Sequence, residues 1–186
     1  MNQKTTPIRI AVTGGPGAGK TTLLEGLKAR GHTIVPDVAR EIIAERRRLG
    51  LSPRPPQDEF AKSILSRDIQ RYESTQSESG LIFFDRSIVD SLGMVDELSL
   101  LTDTEKQRIL AQYPYRATAF ILPPWIEIYH TDSERDQSYE EAVRVCGAIH
   151  GWYIKCGYKL VEVPKLTVDE RGEFVLDYLR EHLNSI

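Results

Sequence analysis

Residues 14–22 of this 186-residue chain read GGPGAGKTT, and they are its most informative segment. It follows the apolar run Ile8 to Val12, which has the composition of a buried strand, and leucines recur at helical spacing after it. A glycine-rich loop that joins a strand to a helix and ends in Gly-Lys-Thr is the Walker A pattern. The sequence therefore predicts a phosphate-binding loop at this position, rather than a glycine-rich turn with a chance lysine.

The residue types in this loop each suit the binding of a triphosphate. Glycines let the backbone take conformations that strain other residues, so that successive amides point at phosphate oxygens. Lys20 is expected to bridge the β- and γ-phosphates, and the hydroxyl of Thr21 suits a magnesium ligand. The sequence predicts ATP or GTP with Mg²⁺ as cofactors, held by Gly14, Gly15, Pro16, Gly17, Ala18, Gly19, Lys20, Thr21 and Thr22.

The composition fits one enzyme-like domain over residues 1–186. Hydrophobic residues make up 40% of the chain, which is enough for one substantial core without disulfides. The net charge of -3 offers no global attraction for nucleic acid or an anionic membrane. A local basic groove is still compatible with this net charge. We expect a nucleotide and a small-molecule acceptor as partners, with nucleic acid disfavoured.

Neither the cysteines nor the apolar segments indicate a secreted or membrane protein. Cys146 and Cys156 lack the spacing of a metal site or a redox pair, so we expect packed, reduced thiols. The N-terminal residues lack an apolar signal core, and no run approaches the roughly 20 apolar residues of a membrane span. We therefore expect a cytoplasmic protein without a transmembrane segment.

Short apolar runs alternate with longer amphipathic segments, a pattern typical of a parallel sheet covered by helices. The expected fold class is α/β, a three-layer P-loop NTPase fold with a five-stranded parallel sheet. Five runs predict strands: Ile8 to Val12, His32 to Pro36, Leu81 to Asp85, Ala117 to Leu122 and Tyr158 to Val163. Seven segments predict helices: Lys20 to Ala29, Val38 to Arg48, Gln57 to Ser77, Ile88 to Leu98, Asp103 to Gln112, Tyr139 to Lys155 and Val168 to Leu183.

Polar residues follow the second predicted strand, at the edge where ligands bind in sheets of this kind. Asp37 lies directly after Pro36, and Arg40 and Glu41 follow one helical turn later. Asp37 is either a helix N-cap and nothing more, or a functional residue beside the phosphate loop. Its position at the end of a strand favours function.

The third predicted strand ends in an acid and a base. Its apolar run leads into Asp-Arg-Ser at residues 85–87, which is the form of a Walker B strand. Because unpaired charge beside a core is costly, this ending favours a functional site over a structural pair of Asp85 and Arg86. We expect Asp85 to hold Mg²⁺ through water or to face the acceptor, and Asp90 to belong to the same acidic site.

The segment from Glu127 to Ser138 is rich in charge and precedes a long predicted helix. A charged segment in this place is typical of a phosphotransferase lid, in which Arg135 reaches over the γ-phosphate and neutralises charge that develops during transfer. A solvated loop is the alternative. Trp125, which precedes the segment, is expected to pack rather than to stack on a base.

The turn after the fifth predicted strand contains Pro164 and leads to Thr167, the expected N-cap of the last helix. In P-loop kinases with this layout the turn often approaches the purine ring, so Pro164 joins the predicted nucleotide-binding residues. No side chain in this turn indicates a preference for adenine or for guanine. The Asn-Lys-x-Asp string that reads guanine in GTPases is absent, which disfavours a GTPase.

These motifs together resemble the compact P-loop family often catalogued as AAA-type ATPase, whose relatives include the ribosylnicotinamide kinase domain of NadR-type proteins. The chain also resembles nucleoside and nucleotide kinases in its wider layout. The matching segments cover most of its length: GGPGAGKTT from Gly14, PDVAREII from Pro36, FFDRS from Phe83, ILPPWIEIY from Ile121, SERDQSYEEA from Ser133 and YKLVEVP from Tyr158. We do not expect a hexameric motor, since no sensor or arginine-finger apparatus is evident.

The resemblance implies roles for residues at the sheet edge. Asp37 matches the acid that, in deoxynucleoside kinases, follows the second strand and takes the proton from the acceptor hydroxyl. Arg86 matches the arginine of their acid-Arg-Ser motif, which positions the acceptor or its phosphates. Those kinases more usually have Glu where this chain has Asp37, so Asp85 is the alternative candidate for the base. The implied acceptor residues are Asp37, Arg40, Arg86 and Asp90.

The sequence leaves three functions open. The first is a Mg²⁺-dependent kinase that transfers the γ-phosphoryl group to a small hydroxyl or phosphate acceptor, such as a nucleoside or nucleotide. The second is an NTPase or nucleotide-dependent switch that moves residues 127–138 to control a partner. The third, a nucleic-acid or lipid-binding regulator, needs a basic face built from residues 46–48 and Arg54, a cluster more typical of a solvated helix end.

Overall fold

The computed structural model describes residues 6–129 and 138–183. Its strands are β1 (Ile8–Gly14), β2 (Thr33–Val35), β3 (Leu81–Asp85), β4 (Thr118–Leu122) and β5 (Lys159–Glu162). Its helices are α1 (Lys20–Ala29), α2 (Val38–Arg48), α3 (Gln57–Ser74), α4 (Ile88–Glu97), α5 (Asp103–Gln112), α6 (Tyr139–Lys155) and α7 (Val168–Leu183), and a short 3-10 helix (Ile126–Ile128) follows β4.

The five strands of the described chain form one parallel sheet in the order β2-β3-β1-β4-β5. β1 lies at its centre, where Val12 pairs with Asp85 on one side and with Phe120 on the other. The chain first fills the β3 side of the sheet and then crosses to the β4 side. The loops after β1, β3 and β4 therefore meet at one edge, at the reversal of strand order where sheets of this type bind ligands.

Two apolar cores cover the two faces of this sheet. One contains Phe84 with Leu92 of α4 and Tyr153 of α6, and the other contains Phe83 and Phe120 with residues of α1 and α7. Neighbouring side chains of a strand point to opposite faces, so Phe83 and Phe84 enter different cores. This is the three-layer α/β fold that the sequence predicts.

The predicted helices and strands are confirmed, and side-chain caps explain where several of the helices begin. Asp37 accepts a hydrogen bond from the Ala39 amide at 2.9 Å and begins α2. Ser87 and Asp90 form a capping box that begins α4, and Thr167 pairs with Glu170 in the same way before α7. Each of these starts depends on side chains within three residues of the helix end.

Five elements are shorter than predicted. α3 ends at Ser74 rather than at Ser77, because the Thr75 hydroxyl donates to the Tyr72 carbonyl at 2.7 Å and accepts from Arg9 Nε at 2.8 Å. Such a side chain competes with the helical hydrogen bonds of the backbone. β2 and β5 each lose one residue at both ends, α4 ends at Glu97 rather than at Leu98, and β4 begins at Thr118 rather than at Ala117.

The remaining structural expectations concern cysteines and membrane spans. Cys146 and Cys156 are free thiols, as predicted, and Cys146 is buried. Within the described residues, every helix is too short or too polar to cross a lipid bilayer.

Candidate active site

The loop between β1 and α1 wraps around the ammonium group of Lys20. Gly14, Gly17 and Gly19 have φ angles of 134°, 75° and 78°, which only glycine adopts without strain. Lys20 Nζ donates to the carbonyls of Gly14 at 3.0 Å and Gly15 at 2.9 Å. The lysine is 6% exposed and therefore lies inside the loop.

Two glycines of the loop also permit close contact with other elements. A Cβ atom on Gly14 would lie 2.5 Å from the Leu122 carbonyl oxygen of β4, and one on Gly15 would lie 2.7 Å from the Ala142 carbonyl oxygen of α6. Cβ atoms in proteins do not come this close to a carbonyl oxygen. The loop is therefore fixed from both sides by rigid backbone.

The outer face of the loop carries three side chains from later in the chain. A Cβ atom on Gly17 would meet the Tyr129 ring at 2.4 Å, and one on Gly19 would meet Arg171 at 2.8 Å and Ile128 at 3.1 Å. Arg171 Nη1 donates to the Gly19 carbonyl at 3.4 Å. The residues after β4 and the start of α7 thus cover the phosphate loop.

Burial dominates the electrostatics of Lys20. Desolvation, followed by the charge of Arg86, lowers the pKa of Lys20 to about 7, although Asp85, Asp37 and Asp90 oppose this shift. The lysine is therefore poised between charged and neutral forms near neutral pH. A polyanion bound in the loop would favour the charged form.

Asp85 is a buried carboxylate at the end of β3. It is 8% exposed, and its Oδ1 atom has no hydrogen-bond partner among residues 6–129 and 138–183. Burial raises the pKa of Asp85, and the nearby Lys20 opposes the shift. A buried carboxylate oxygen without a partner beside the phosphate loop fits a role as a ligand of Mg²⁺ or of bound water.

A magnesium ion would find few protein ligands here. The described residues contain no cluster of three or more His, Cys, Asp or Glu side chains that would hold a metal. Mg²⁺ commonly takes one or two protein ligands and completes its octahedron with phosphate oxygens and water. Thr21 and Asp85 therefore fit an ion that arrives with the nucleotide.

Arg86 adopts a backbone conformation that is unusual for its side chain. Its φ angle is 70°, and its amide donates to the Val12 carbonyl at 2.9 Å. Its guanidinium lies 3.6 Å from Asp37 Oδ2 through Nε and 3.5 Å from Asp90 Oδ1 through Nη1. Burial opposes the charge, but Asp37, Asp90 and Asp85 raise the pKa of Arg86 above its usual value.

Asp37 is both a helix cap and a member of this cluster. Its Oδ1 atom caps α2, while its Oδ2 atom lies 3.6 Å from Arg86 and 3.8 Å from Arg40. The side chain is only 11% exposed. The two interpretations that the sequence offers are therefore compatible, since each uses a different oxygen.

Asp90 has its oxygens engaged by the protein. Thr13 donates to Oδ1 at 2.5 Å, and Oδ2 accepts from the Ser87 amide at 2.8 Å and from the Tyr153 hydroxyl at 2.6 Å. With Arg86 at 3.5 Å, these contacts join β1, α4 and α6 around one carboxylate. Asp90 thus positions Arg86, and direct contact of Asp90 with a substrate stays a prediction.

Comparison with known proteins agrees with this fold. A family model described as an AAA domain matches residues 9–171. The chain belongs to this family. No curated protein matches its sequence.

Solved structures share the fold of this AAA domain at low sequence identity. Deoxyadenosine kinase from M. mycoides with bound dATP is 15% identical, with a TM-score of 0.62 over 93% of this chain and 99% of that chain. Thymidylate kinase from Candida albicans is 11% identical, with a TM-score of 0.63 over 97% of this chain and 94% of that chain. The AAA domain therefore has the P-loop fold of nucleoside and nucleotide kinases.

Two side chains near the site were not predicted from sequence. Asp68 of α3 lies within hydrogen-bonding reach of Ser91 and close to Asp90 and Arg86, and burial raises the pKa of Asp68 to about 7. Arg171 of α7 is 4% exposed, and its Nε atom has no partner in the described part of the chain. Both lie inside long helices, where a charged residue at helical spacing reads as solvent-facing.

Pro164, Trp125 and Arg135 are the remaining residues that were singled out in the sequence. Pro164 follows β5 in the turn before α7, and its carbonyl accepts from the Leu166 amide at 3.0 Å. Trp125 packs against Arg171, with 5.6 Å from Cζ to the ring centroid. Arg135 and most of the proposed lid lie outside the described residues, while Tyr129 at its start contacts Ser138 through a 3.2 Å hydrogen bond.

Proposed function

We propose that this protein is a Mg²⁺-dependent kinase that transfers the γ-phosphoryl group of ATP or GTP to a nucleoside-like or nucleotide-like acceptor. One observation carries the proposal. Asp37, Arg86 and Asp85 gather at the edge of the sheet beside Lys20. A protein that only binds nucleotide does not require a buried pair of an acid and an arginine beside the phosphate loop.

The chemistry follows from these residues. The acceptor hydroxyl oxygen forms a bond to the γ-phosphorus, the bond from that phosphorus to the β–γ bridging oxygen breaks, and the nucleoside diphosphate leaves. Lys20 stabilises the charge on the transferred group. Mg²⁺, bound through Thr21 and Asp85, would neutralise charge on the phosphates. The acceptor proton passes to a carboxylate, either Asp37 or Asp85.

The two candidate bases differ in their surroundings. Asp37 Oδ2 lies between Arg86 and Arg40, whereas Asp85 lacks a partner for Oδ1 among the described residues. Kinetics separate them, because loss of the base lowers kcat while loss of a magnesium ligand also raises the Mg²⁺ requirement. Asp37→Asn and Asp85→Asn, each titrated with Mg²⁺, therefore assign the base.

The proposal is tested by turnover of ATP and GTP with Mg²⁺ against a panel of nucleosides, nucleotides and nicotinamide riboside. Nicotinamide riboside is included because the motifs resemble a ribosylnicotinamide kinase domain. Lys20→Ala is the blank. A phosphorylated acceptor with matching diphosphate formation supports the kinase, and nucleotide binding without acceptor-stimulated turnover contradicts it.

A nucleotide-dependent switch is the second candidate, and the Tyr129 ring on Gly17 favours it. A side chain in contact with the phosphate loop would transmit nucleotide binding to the segment that follows. The switch predicts slow turnover that only a macromolecule accelerates, whereas the kinase predicts acceleration by a small acceptor.

A further inference from the structure

A buried arginine lies on the outer face of the phosphate loop. Arg171 is 4% exposed, and its Nε atom has no hydrogen-bond partner among residues 6–129 and 138–183. Its Nη1 atom lies 3.4 Å from the Gly19 carbonyl oxygen, and its Cζ atom lies 5.6 Å from the centroid of the Trp125 ring. Burial lowers the pKa of Arg171, as expected for a cation with no acid nearby to oppose the shift. A buried guanidinium with an unused donor suits a ligand that accepts hydrogen bonds.

The acids nearest to Arg171 in the sequence are engaged elsewhere. Asp169 and Glu173 lie 3.4 Å and 3.1 Å from the guanidinium of Arg30. Glu170 belongs to the capping box at the start of α7. An apolar side chain in place of Arg171 would fill the same space without burying a charge. Packing of α7 therefore does not by itself account for an arginine at this position.

Arg171 and the carboxylates of the candidate site lie on opposite sides of β1. The sheet order β2-β3-β1-β4-β5 puts the phosphate loop between two sets of strand ends. Asp37 and Asp85 follow β2 and β3 on one side, where the γ-phosphate meets the acceptor in the proposed reaction. Trp125 and Arg171 follow β4 and β5 on the other side. A triphosphate that lies along the loop with its γ-phosphate toward Asp85 therefore extends its base toward Trp125 and Arg171.

A guanidinium distinguishes the two purines by the acceptors on the edge of the base. Guanine has two neighbouring acceptors, O6 and N7, and one arginine can donate to both. Adenine has N7 beside the N6 amino group, which is itself a donor. A guanidinium at this edge would therefore make two hydrogen bonds to guanine, whereas with adenine one of the two contacts sets a donor against a donor.

We infer that Arg171 binds the O6 and N7 edge of the donor base and gives the protein a preference for guanine nucleotides over adenine nucleotides. This inference rests on the nucleotide-binding part of the proposed function and narrows its donor. The contacts with Trp125 and with the Gly19 carbonyl hold the guanidinium beside the loop. Because the Asn-Lys-x-Asp string of GTPases is absent, we assign the preference to Arg171.

The first experiment compares the binding of Mg²⁺·GDP, Mg²⁺·IDP and Mg²⁺·ADP to the wild-type protein by calorimetry. The base of IDP has the O6 and N7 of guanine and lacks its 2-amino group, so IDP isolates the edge that Arg171 is inferred to bind. We expect GDP and IDP to bind at least about 10-fold more tightly than ADP. Diphosphates have no γ-phosphoryl group to transfer, so the result does not depend on the kinase reaction.

The second experiment measures the same three affinities in variants. Arg171→Met removes the donors at similar side-chain length, and we expect the preference for GDP over ADP to fall below about 2-fold. Arg171→Lys keeps the charge without the planar fork, should lose most of the preference, and serves if Arg171→Met does not fold. Arg30→Met is the matched control, because Arg30 also packs on α7, beside Gly172, but is paired with Asp169 and Glu173. A purely structural role of Arg171 would weaken all three diphosphates equally and leave their ratio unchanged.

The outcomes separate this inference from the proposed function. Binding of ADP as tight as that of GDP overturns the inference, and so does a preference for GDP that IDP does not share. A preference that survives in the Arg171 variants overturns the role of Arg171. A guanine preference that depends on Arg171, without phosphorylation of any acceptor, supports the inference and contradicts the kinase, whereas acceptor phosphorylation that uses ATP and GTP equally contradicts the inference alone. If no diphosphate binds, both proposals fail.

Discussion

Arg86 combines a costly backbone conformation with a central electrostatic position. A non-glycine residue at φ 70° is strained by about 1 kcal/mol. The strain persists because the amide bonds to the Val12 carbonyl and the guanidinium lies between Asp37 and Asp90. The conformation therefore directs the arginine towards Asp37 and Asp90.

The backbone strain at Arg86 can be tested by comparing two variants. Both Arg86→Ala and Arg86→Gly leave two buried carboxylates without their cation, and we expect both to be inactive and less stable than wild type. Arg86→Gly relieves the backbone, so it should be the more stable of the two by about 1 kcal/mol. Denaturant unfolding measures the difference, and equal stability of the variants would show that the backbone is unstrained.

We expect Lys20 to make nucleotide binding dependent on pH. The pKa of Lys20 is about 7 in the folded, empty protein, so the side chain is mostly neutral at pH 8 and charged at pH 6. Bound phosphates favour the charged form, so binding should take up about 0.9 proton at pH 8, about 0.5 at pH 7 and about 0.1 at pH 6. Calorimetry of Mg²⁺·ADP binding in buffers of different ionisation enthalpy measures this uptake.

Lys20→Arg is the control for that experiment, because a guanidinium stays charged throughout this range. Uptake that persists in Lys20→Arg would belong to another group. The lowered pKa of Lys20 also sets the direction in which the stability of the empty protein changes with pH. Since the folded pKa is below the unfolded value of about 10.4, the unfolded chain binds more protons between these values, and Lys20 makes the empty protein more stable as pH rises through that range.

α6 connects the phosphate loop with Asp90 and Ser87 at the start of α4. The Ala142 carbonyl of its first turn lies against Gly15, while Tyr153, three turns later, donates to Asp90 Oδ2 at 2.6 Å and contacts Ser87 Oγ at 2.8 Å. Burial and Asp90 raise the pKa of Tyr153, so its hydroxyl keeps the proton that it donates. One rigid helix thus touches both halves of the proposed reaction centre.

Tyr153→Phe removes this contact without changing the core volume. We expect a loss of about 1–2 kcal/mol in the free energy of unfolding, because Asp90 loses a buried donor. We also expect a lower kcat, because Asp90 orients Arg86. Tyr178→Phe, on α7 at the other face of the sheet, is the control and should change stability by less than about 0.5 kcal/mol. Equal effects of the two substitutions would contradict the positioning role.

The elements could be predicted because their signals are local. The capping pairs Ser87–Asp90 and Thr167–Glu170 each span three residues, and the apolar runs of the strands are continuous. The position of Asp68 could not be predicted, since it depends on how α3 packs on α4. Arg171 was missed for the same reason, because it approaches Gly19 across 152 positions of sequence.

The candidate site depends on the topology of the whole sheet. Lys20, Asp37 and Asp85 are separated in sequence, and the central position of β1 beside β3 brings their strand ends to one edge. The sequence order of the strands indicates such an edge, but it does not reveal that Arg86 is shared by two carboxylates. Charge balance at the site was therefore visible only in the assembled molecule.

The loop is held by β4 and α6 and covered by the chain near Arg171, so a bound nucleotide should stabilise the entire domain. At 100 times the dissociation constant, Mg²⁺·ATP should add about 2.7 kcal/mol to the free energy of unfolding. For a chain of this length the midpoint of thermal unfolding should rise by about 5–10 °C. Scanning fluorimetry over a range of ATP concentrations measures the rise. Chelation of Mg²⁺ should reduce it, because Asp85 then faces the phosphates without the ion. Lys20→Ala is expected to show little change with ATP, and a rise as large as that of wild type in this variant would contradict binding in the loop.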